Sequence, residues 1–264
     1  VTTGAGAAVV AVVGAVAVFL LARALPALSR AGASFLTERN WLPDAPGGRY
    51  GVAALAFGTV ASSAVALAIA VPVGVGTALF VTEVAPARTG RLVGWAVDLL
   101  AAVPSVVYGL WGLTVLVPLL GGSLLTAGLV LAVMVVPIVA AVSREVFRTV
   151  PATQREAARA LGATRWQTTR TAVLPAARGG LGAAGLLGLG RALGETIAVA
   201  LVLGSAYRID LDIAHPGGAT IAGNVATKFG EAGANGRSAL IASGLVLFAI
   251  TLVVNLGARR LVRR

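Results

Sequence analysis

The sequence predicts an all-α polytopic membrane protein, and two observations carry that prediction. Its 264 residues have a mean hydropathy of +0.92, with 58% hydrophobic and 12% charged residues, which excludes a water-soluble globule. The charges are also confined, since residues 1–22, 50–82 and 99–143 contain none. A net charge of +11 in a soluble protein would point to nucleic acid. Here the basic residues fall in loops between apolar runs, so a positive-inside bias explains them and no nucleic-acid partner is expected. Of the 21 basic residues, Lys228 is the one lysine; with the abundance of Ala, Gly and Val, the arginine excess reflects a GC-rich genome. The absence of cysteine excludes a disulfide framework and thiolate metal sites.

Six spans are expected, near residues 5–22, 52–82, 93–120, 124–142, 179–203 and 238–258, so that residues 1–264 form a single transmembrane domain. The first span contains Val9–Leu21 and ends near Arg23. A cleaved signal peptide fits it less well, because no basic segment precedes the apolar run and the run is too long. The chain opens on Val1, almost inside that span, which implies a GTG start or a missing N-terminal piece. Arg23–Arg49 reads as a mixed loop with Pro26, Pro43 and Pro46. In the second span, Pro72, Gly74 and Gly76 are expected to bend or thin the far end. Glu83–Arg91 is a short polar link.

The charge-free stretch 99–143 is 45 residues long. At about 1.5 Å per residue, that is twice what one crossing of a roughly 30 Å core requires. Pro118 and Gly121-Gly122-Ser123 supply the break, giving a third and a fourth span. Pro104 removes a backbone donor, so the third helix is expected to bend there, with Ser105 helping to satisfy the exposed carbonyls. Tyr108 and Trp111 read as interfacial anchors or packing residues. Asp98 reads as interfacial, and His215, beside Pro216-Gly217-Gly218, as a solvated turn residue. The fifth span carries Gly182, Gly185, Gly188, Gly190 and Gly194, small residues that let helices approach closely. Gly188-Leu189-Gly190 is no dinucleotide loop, because no strand precedes it. The sixth span ends in Arg259-Arg260-Leu261-Val262-Arg263-Arg264.

Between spans four and five lies a charged loop, residues 144–178, and its centre is the most informative stretch of the chain. Pro151 suits a first helical turn, and Arg155-Glu156-Ala157-Ala158-Arg159-Ala160-Leu161 are mostly good helix formers. Gly162 is placed to end that helix in a left-handed cap. Thr164 and Gln167 have capping-box spacing for a second helix, which Pro175 is expected to limit. The expected unit is a short helix, a glycine corner and another short helix. Glu156-Ala157-Ala158, then Gly162, then Leu174-Pro175 resembles the EAA loop of bacterial ABC importer permeases, although the family's usual isoleucine is replaced by Ala172. The resemblance implies the type I ABC importer permease fold, with these residues forming a coupling helix that seats in a groove of a cytoplasmic ATPase. The competing reading is a basic amphipathic helix on anionic lipid, to which a Gly corner and a Leu-Pro exit are irrelevant.

Six spans put both termini, the 83–91 link and the 144–178 loop on one side. That side holds 13 arginines and the opposite loops hold seven basic residues, so the loop is expected in the cytoplasm. This parity argument is independent of any resemblance.

Two further stretches narrow the family. Ala102-Val103-Pro104-Ser105-Val106-Val107-Tyr108-Gly109-Leu110-Trp111-Gly112 and Gly190-Arg191-Ala192-Leu193-Gly194-Glu195-Thr196-Ile197-Ala198-Val199 resemble the third- and fifth-span signatures of the phosphate-specific (Pst) importer permeases. Phe35, Trp41-Leu42-Pro43 and Gly58-Thr59 are similar to the C-type subunit rather than its A-type partner. The resemblance implies a subunit of the bacterial plasma membrane that pairs with an A-type permease and two ATPase copies, and receives phosphate from an extracytoplasmic binding protein. It implies no cofactor, and ATP hydrolysis on a separate subunit.

The sequence shows no nucleophile–base pair, Walker A loop or metal-ligand cluster. Its candidate pathway residues are Arg191 and Glu195, four apart on one expected helix and so able to pair on one face. Charges inside a span usually face one another or a polar interior. They form either a structural ion pair or a site where Arg191 offers charge to an anion and Glu195 holds it in place. The alternative functions are a permease for molybdate or sulfate, an ion-coupled transporter or channel, and a structural scaffold.

Overall fold

The computed structural model describes residues 2–262, and its regular structure is helical. Among the described residues β pairing is limited to isolated bridges, Trp41 with Tyr50 and Ser123 with Pro216 and Gly217. The helices are α1 (Thr2–Ala31), α2 (Ala53–Val84), α3 (Ala87–Ala102), α4 (Ser105–Leu120), α5 (Leu124–Thr149), α6 (Ala152–Ala160), α7 (Arg165–Gly194), α8 (Ile197–Val202), α9 (Ile221–Lys228) and α10 (Ala234–Val262). Five are long and apolar enough to cross a membrane, or six if α3 and α4 form one broken span. Arg263 and Arg264, counted above in the charge asymmetry, lie outside the described residues.

The centre is the pairing of α2 with α5. On α2 the buried positions Gly58, Ser62, Ala66, Ala70, Gly74 and Ala78 recur every fourth residue, a stripe of small side chains along one face. Small residues there let backbones approach. A Cβ on Gly74 would lie 2.8 Å from Val139 Cβ, and one on Gly128 of α5 would lie 2.6 Å from Val65. Leu131, Val135 and Val139 of α5 fill the space that the stripe leaves, with Ala184 and Ala192 of α7 closing the layer. The first helix stands outside this core and packs along α10.

At one end of the bundle, a second apolar cluster gathers Phe35, Trp41, Tyr50, Leu55, Ile221 and Leu240. The Tyr50 hydroxyl donates to the Ala27 carbonyl at 3.0 Å, and burial pushes its pKa up, so it remains a neutral donor. Asp44 accepts from the Gly233 and Gly236 amides at 3.0 and 2.9 Å, capping the start of α10 from a remote loop. Gly58 admits the Ala219 carbonyl, which a Cβ would meet at 2.1 Å, while Thr59 accepts from the Ile221 amide at 3.0 Å. The Gly58-Thr59 pair thus holds the segment leading into α9.

Several boundaries differ from the sequence expectation. The first helix runs through Arg23 to Ala31, so the loop is shorter than Arg23–Arg49. The bend expected at Pro104 is present and sharp: the third span is two helices meeting at 91°, because Val103 and Pro104 are both extended. The expected fifth span begins earlier and breaks sooner: α7 starts at Arg165 and stops at Gly194, and α8 carries residues 197–202.

Proline explains how α7 can begin as early as Arg165, and the same device appears twice more. Three five-residue stretches are wound as π-helix, Phe80–Val84, Gly112–Leu116 and Thr169–Val173. Each ends two residues before a proline, Pro86, Pro118 or Pro175. A proline cannot donate to the carbonyl four residues back, and its ring crowds that carbonyl. Widening the preceding turn relieves the crowding. At Pro86 the helix then ends; at Pro118 and Pro175 it continues. Pro175 therefore does not limit the second helix of the charged loop, as its sequence position suggests.

Candidate functional site

The charged loop builds its corner as the sequence predicts. Pro151 is extended and precedes α6 rather than sitting in its first turn. At the other end Gly162 has φ +85°; its amide donates to Arg159 O at 2.9 Å, and the Ala163 amide donates to Ala158 O at 3.2 Å. That pair of bonds is a Schellman motif, which needs a left-handed residue at Gly162. Thr164 and Gln167 then close a reciprocal capping box at the start of α7. The α7 helix passes through its π turn, where Val173 and Leu174 join an apolar cluster with Ala78, Phe147, Val150 and Ala177.

Glu156 and Ala157 are exposed and Ala158 is half-buried, so the EAA residues present a free face. Leu174 is half-buried and Pro175 exposed, both on α7 just beyond its π turn. Beside the EAA residues stand two side chains that the sequence reading passed over. Leu161 is 90% exposed and Trp166 is 60% exposed, flanking Gly162 on either side. They leave apolar side chains in the open on a polar loop, which makes this corner a candidate contact surface. Their position next to the glycine corner is the signal that could have found them.

The same reading missed Arg155 and Glu83. Their side chains pair at 2.8 Å, and Arg155 also donates to the Phe147 and Val150 carbonyls. These groups line a cleft of about 490 Å³ with Arg148, Arg159 and Arg165.

The second candidate site lies where α4 meets α8. Gly109 packs against Ala198, whose Cα a Cβ would meet at 2.7 Å, and Gly112 packs against Val130 and Val202. The two signature stretches, 102–112 and 190–199, are thereby brought into contact. Tyr108 is buried, and its hydroxyl donates to Leu100 O at 2.7 Å, across the bend at Pro104. It is a brace for the bend rather than an interfacial anchor, and it takes the role expected of Ser105. Trp111 remains 39% exposed. Asp98 pairs with Arg144 at 2.7 Å and ties α3 to α5. His215 lies exposed in the turn expected of it, its amide donating to Asp212 O at 3.1 Å.

Arg191 and Glu195 do not pair. The helix stops at Gly194, and Glu195 is extended with ψ 130°, so a four-residue spacing no longer places the two on one face. The Glu195 carboxylate instead accepts from the Ala198 amide at 3.3 Å and caps the start of α8. Arg191 occupies the last turn of α7, where a cation suits the helix dipole. It is exposed and has no ion-pair or hydrogen-bond partner among the described residues. Among the described residues no group of three or more His, Cys, Asp or Glu side chains could hold a metal ion.

Residues 70–264 match the sequence pattern of the family described as binding-protein-dependent transport system inner membrane component. The chain belongs to that family. It is accordingly a multi-pass inner-membrane permease, and a non-catalytic one. Curated relatives agree over nearly the whole length. The permease is 40% identical to the phosphate transport system permease protein PstC of Mesorhizobium japonicum, covering 100% of this chain and 88% of that one. It is 44% identical to PstC 2 of Mycobacterium tuberculosis, covering 97% and 88%. With PstC of Haemophilus influenzae the identity is 38%, over 95% and 87%. Among solved structures, the MetNI methionine ABC transporter in inward-facing conformations shares the permease's fold. Its TM-score is 0.62 at 23% identity, covering 78% of this chain and 90% of that one.

Proposed function

We propose that the chain is the membrane-spanning subunit of an ATP-driven inorganic phosphate importer, of the C type. The observation that carries the reading is the contact between the 102–112 and 190–199 stretches beside Arg191, a cation without a partner among the described residues where two helices break. A mobile anion is a natural counter-charge for such a group. The names of the relatives, phosphate transport system permease proteins, support phosphate over another oxyanion. In this reading residues 152–166 dock on a cytoplasmic ATPase dimer, with Glu156, Ala157, Ala158 and Gly162 shaping the contact and Leu174-Pro175 seating its base. A second, A-type permease completes the pathway, and an extracytoplasmic phosphate-binding protein loads it.

Reconstitution of the four components in proteoliposomes tests the function. Phosphate uptake is expected only with ATP inside the cytoplasmic compartment and is expected to resist excess molybdate or sulfate. Uptake driven by an ion gradient without ATP would make the chain a secondary transporter instead. Competition by molybdate would make it a permease for another oxyanion.

Sidedness is tested by thiol labelling, since the chain has no cysteine of its own. Ala163→Cys is expected to label only after the inner face is exposed. The partner probe is Leu211→Cys, in a loop where Leu211 is 88% exposed. Gly217, nearby in the same loop, does not suit a probe, because its φ of +111° and a Cβ contact of 3.0 Å with Ala206 would strain any side chain. Labelling of Leu211→Cys in intact cells is the expected result, and the reverse pattern would invert the orientation.

A further inference from the structure

The short helix α6 is nearly detached from the body it must move. Within Ala152–Ala160 every residue is exposed except Arg155 and Ala158. Among the described residues, only one of its side chains hydrogen-bonds to another helix. Arg155 donates to Glu83 Oε1 at 2.8 Å, to Phe147 O at 2.8 Å and to Val150 O. The two carbonyls belong to the last turn of α5 and its cap, where a helix end leaves carbonyls short of partners; Phe147 O otherwise accepts only a long bond from the Val150 amide, at 3.4 Å. The carboxylate belongs to α2 and lies inside its π turn, Phe80–Val84. Both charges are sequestered, the Glu83 side chain being 9% exposed and that of Arg155 19%.

A displacement of α6 reaches the bundle covalently at both ends, through Val150-Pro151 into α5 and through Gly162 into α7. The one side-chain route to a helix that is not its chain neighbour is the Arg155–Glu83 pair, which leads into α2, the helix whose small-residue stripe packs on α5. The π turn holding Glu83 is a local defect in the α2 ladder, and such turns are places where a helix can change register. The geometry points to Arg155 and Glu83 as positioning residues that transmit the movement of the coupling helix to α2. This rests on the reading of residues 152–166 as the ATPase contact.

A structural role alone would lower ATP hydrolysis and transport together. Transmission predicts that their ratio changes. The experiment uses the complete reconstituted importer and measures phosphate taken up per ATP hydrolysed. In Glu83→Gln the amide keeps the shape and one acceptor but loses the charge. It is expected to assemble with its ATPase and hydrolyse ATP at close to the wild-type rate, while the ratio falls about tenfold, within the usual range of coupling between sites. Glu83→Asp, which keeps the charge on a shorter stem, is expected to recover most of the ratio. Should Glu83→Gln not be recovered from the membrane, Glu83→Met takes its place: it fills a similar space outside the docking surface and offers Arg155 no carboxylate, so the same fall is expected. An unchanged ratio in the recovered variant, or a proportional loss of both activities, overturns the inference. Failure of the wild-type complex to use ATP for phosphate uptake would instead overturn the function proposed above.

Discussion

Gly162→Val is expected to leave the protein in the membrane at normal abundance and to abolish ATP-driven phosphate uptake. A Cβ at Gly162 would meet nothing within 4 Å, so the substitution creates no clash and the bundle is untouched. The cost is purely conformational. With φ at +85°, a β-branched residue is forced into a region that L-residues avoid by roughly 1–2 kcal/mol or more. The loop relieves that strain by opening the Schellman turn, which breaks the bonds from Gly162 to Arg159 and from Ala163 to Ala158. Leu161 and Trp166, on either side of the corner, then lose their fixed placement relative to each other. Hydrolysis by the ATPase is expected to continue without transport. Gly162→Asn is the control, since asparagine tolerates left-handed backbone and is expected to retain most of the uptake. The measurements are membrane abundance, ATPase rate and uptake of labelled phosphate. Normal uptake in the valine variant would remove this corner from the coupling apparatus.

The glycine corner was legible because every device in it is local. A Gly four residues after Ala158 and a Thr three residues before Gln167 encode their geometry without help from the rest of the fold. The apolar runs were legible for the same reason, since a charge-free stretch of sufficient length needs no partner to declare itself. What the sequence hid depends on contacts or on tolerance. Pro175 signals a stop, but membrane helices absorb prolines by widening a turn, so α7 runs through it. The stripe from Gly58 to Ala78 is visible only once α5 is seen to lie on it. Glu83 and Arg155 are 72 positions apart, and each taken alone is an ordinary loop charge. Arg191 and Glu195 misled for the opposite reason. Their spacing is meaningful only on an unbroken helix, and the break falls between them.

That break decides what charge changes at Arg191 should do. Arg191→Gln is expected to assemble with its partners, because Arg191 bonds to no other group among the described residues and its removal strands no buried charge. Uptake is expected to fall roughly 10–100-fold, the kinetic equivalent of losing one ionic hydrogen bond to the anion, worth about 1.5–3 kcal/mol. Were the two residues a structural ion pair, exchanging them (Arg191→Glu with Glu195→Arg) would restore both assembly and transport. The geometry predicts that it restores neither. Arginine at position 195 would set a cation on the start of α8, where Glu195 now accepts from the Ala198 amide. Glutamate at position 191 would set an anion on the carboxyl end of α7 and repel the substrate. Glu195→Gln keeps an acceptor for that amide and is expected to cost no more than a few-fold in uptake. Parallel uptake measurements on the three variants, at matched abundance in proteoliposomes, separate the cases. An Arg191→Gln variant that transports at the wild-type rate removes Arg191 from the pathway, and a swap that restores uptake reinstates the ion pair.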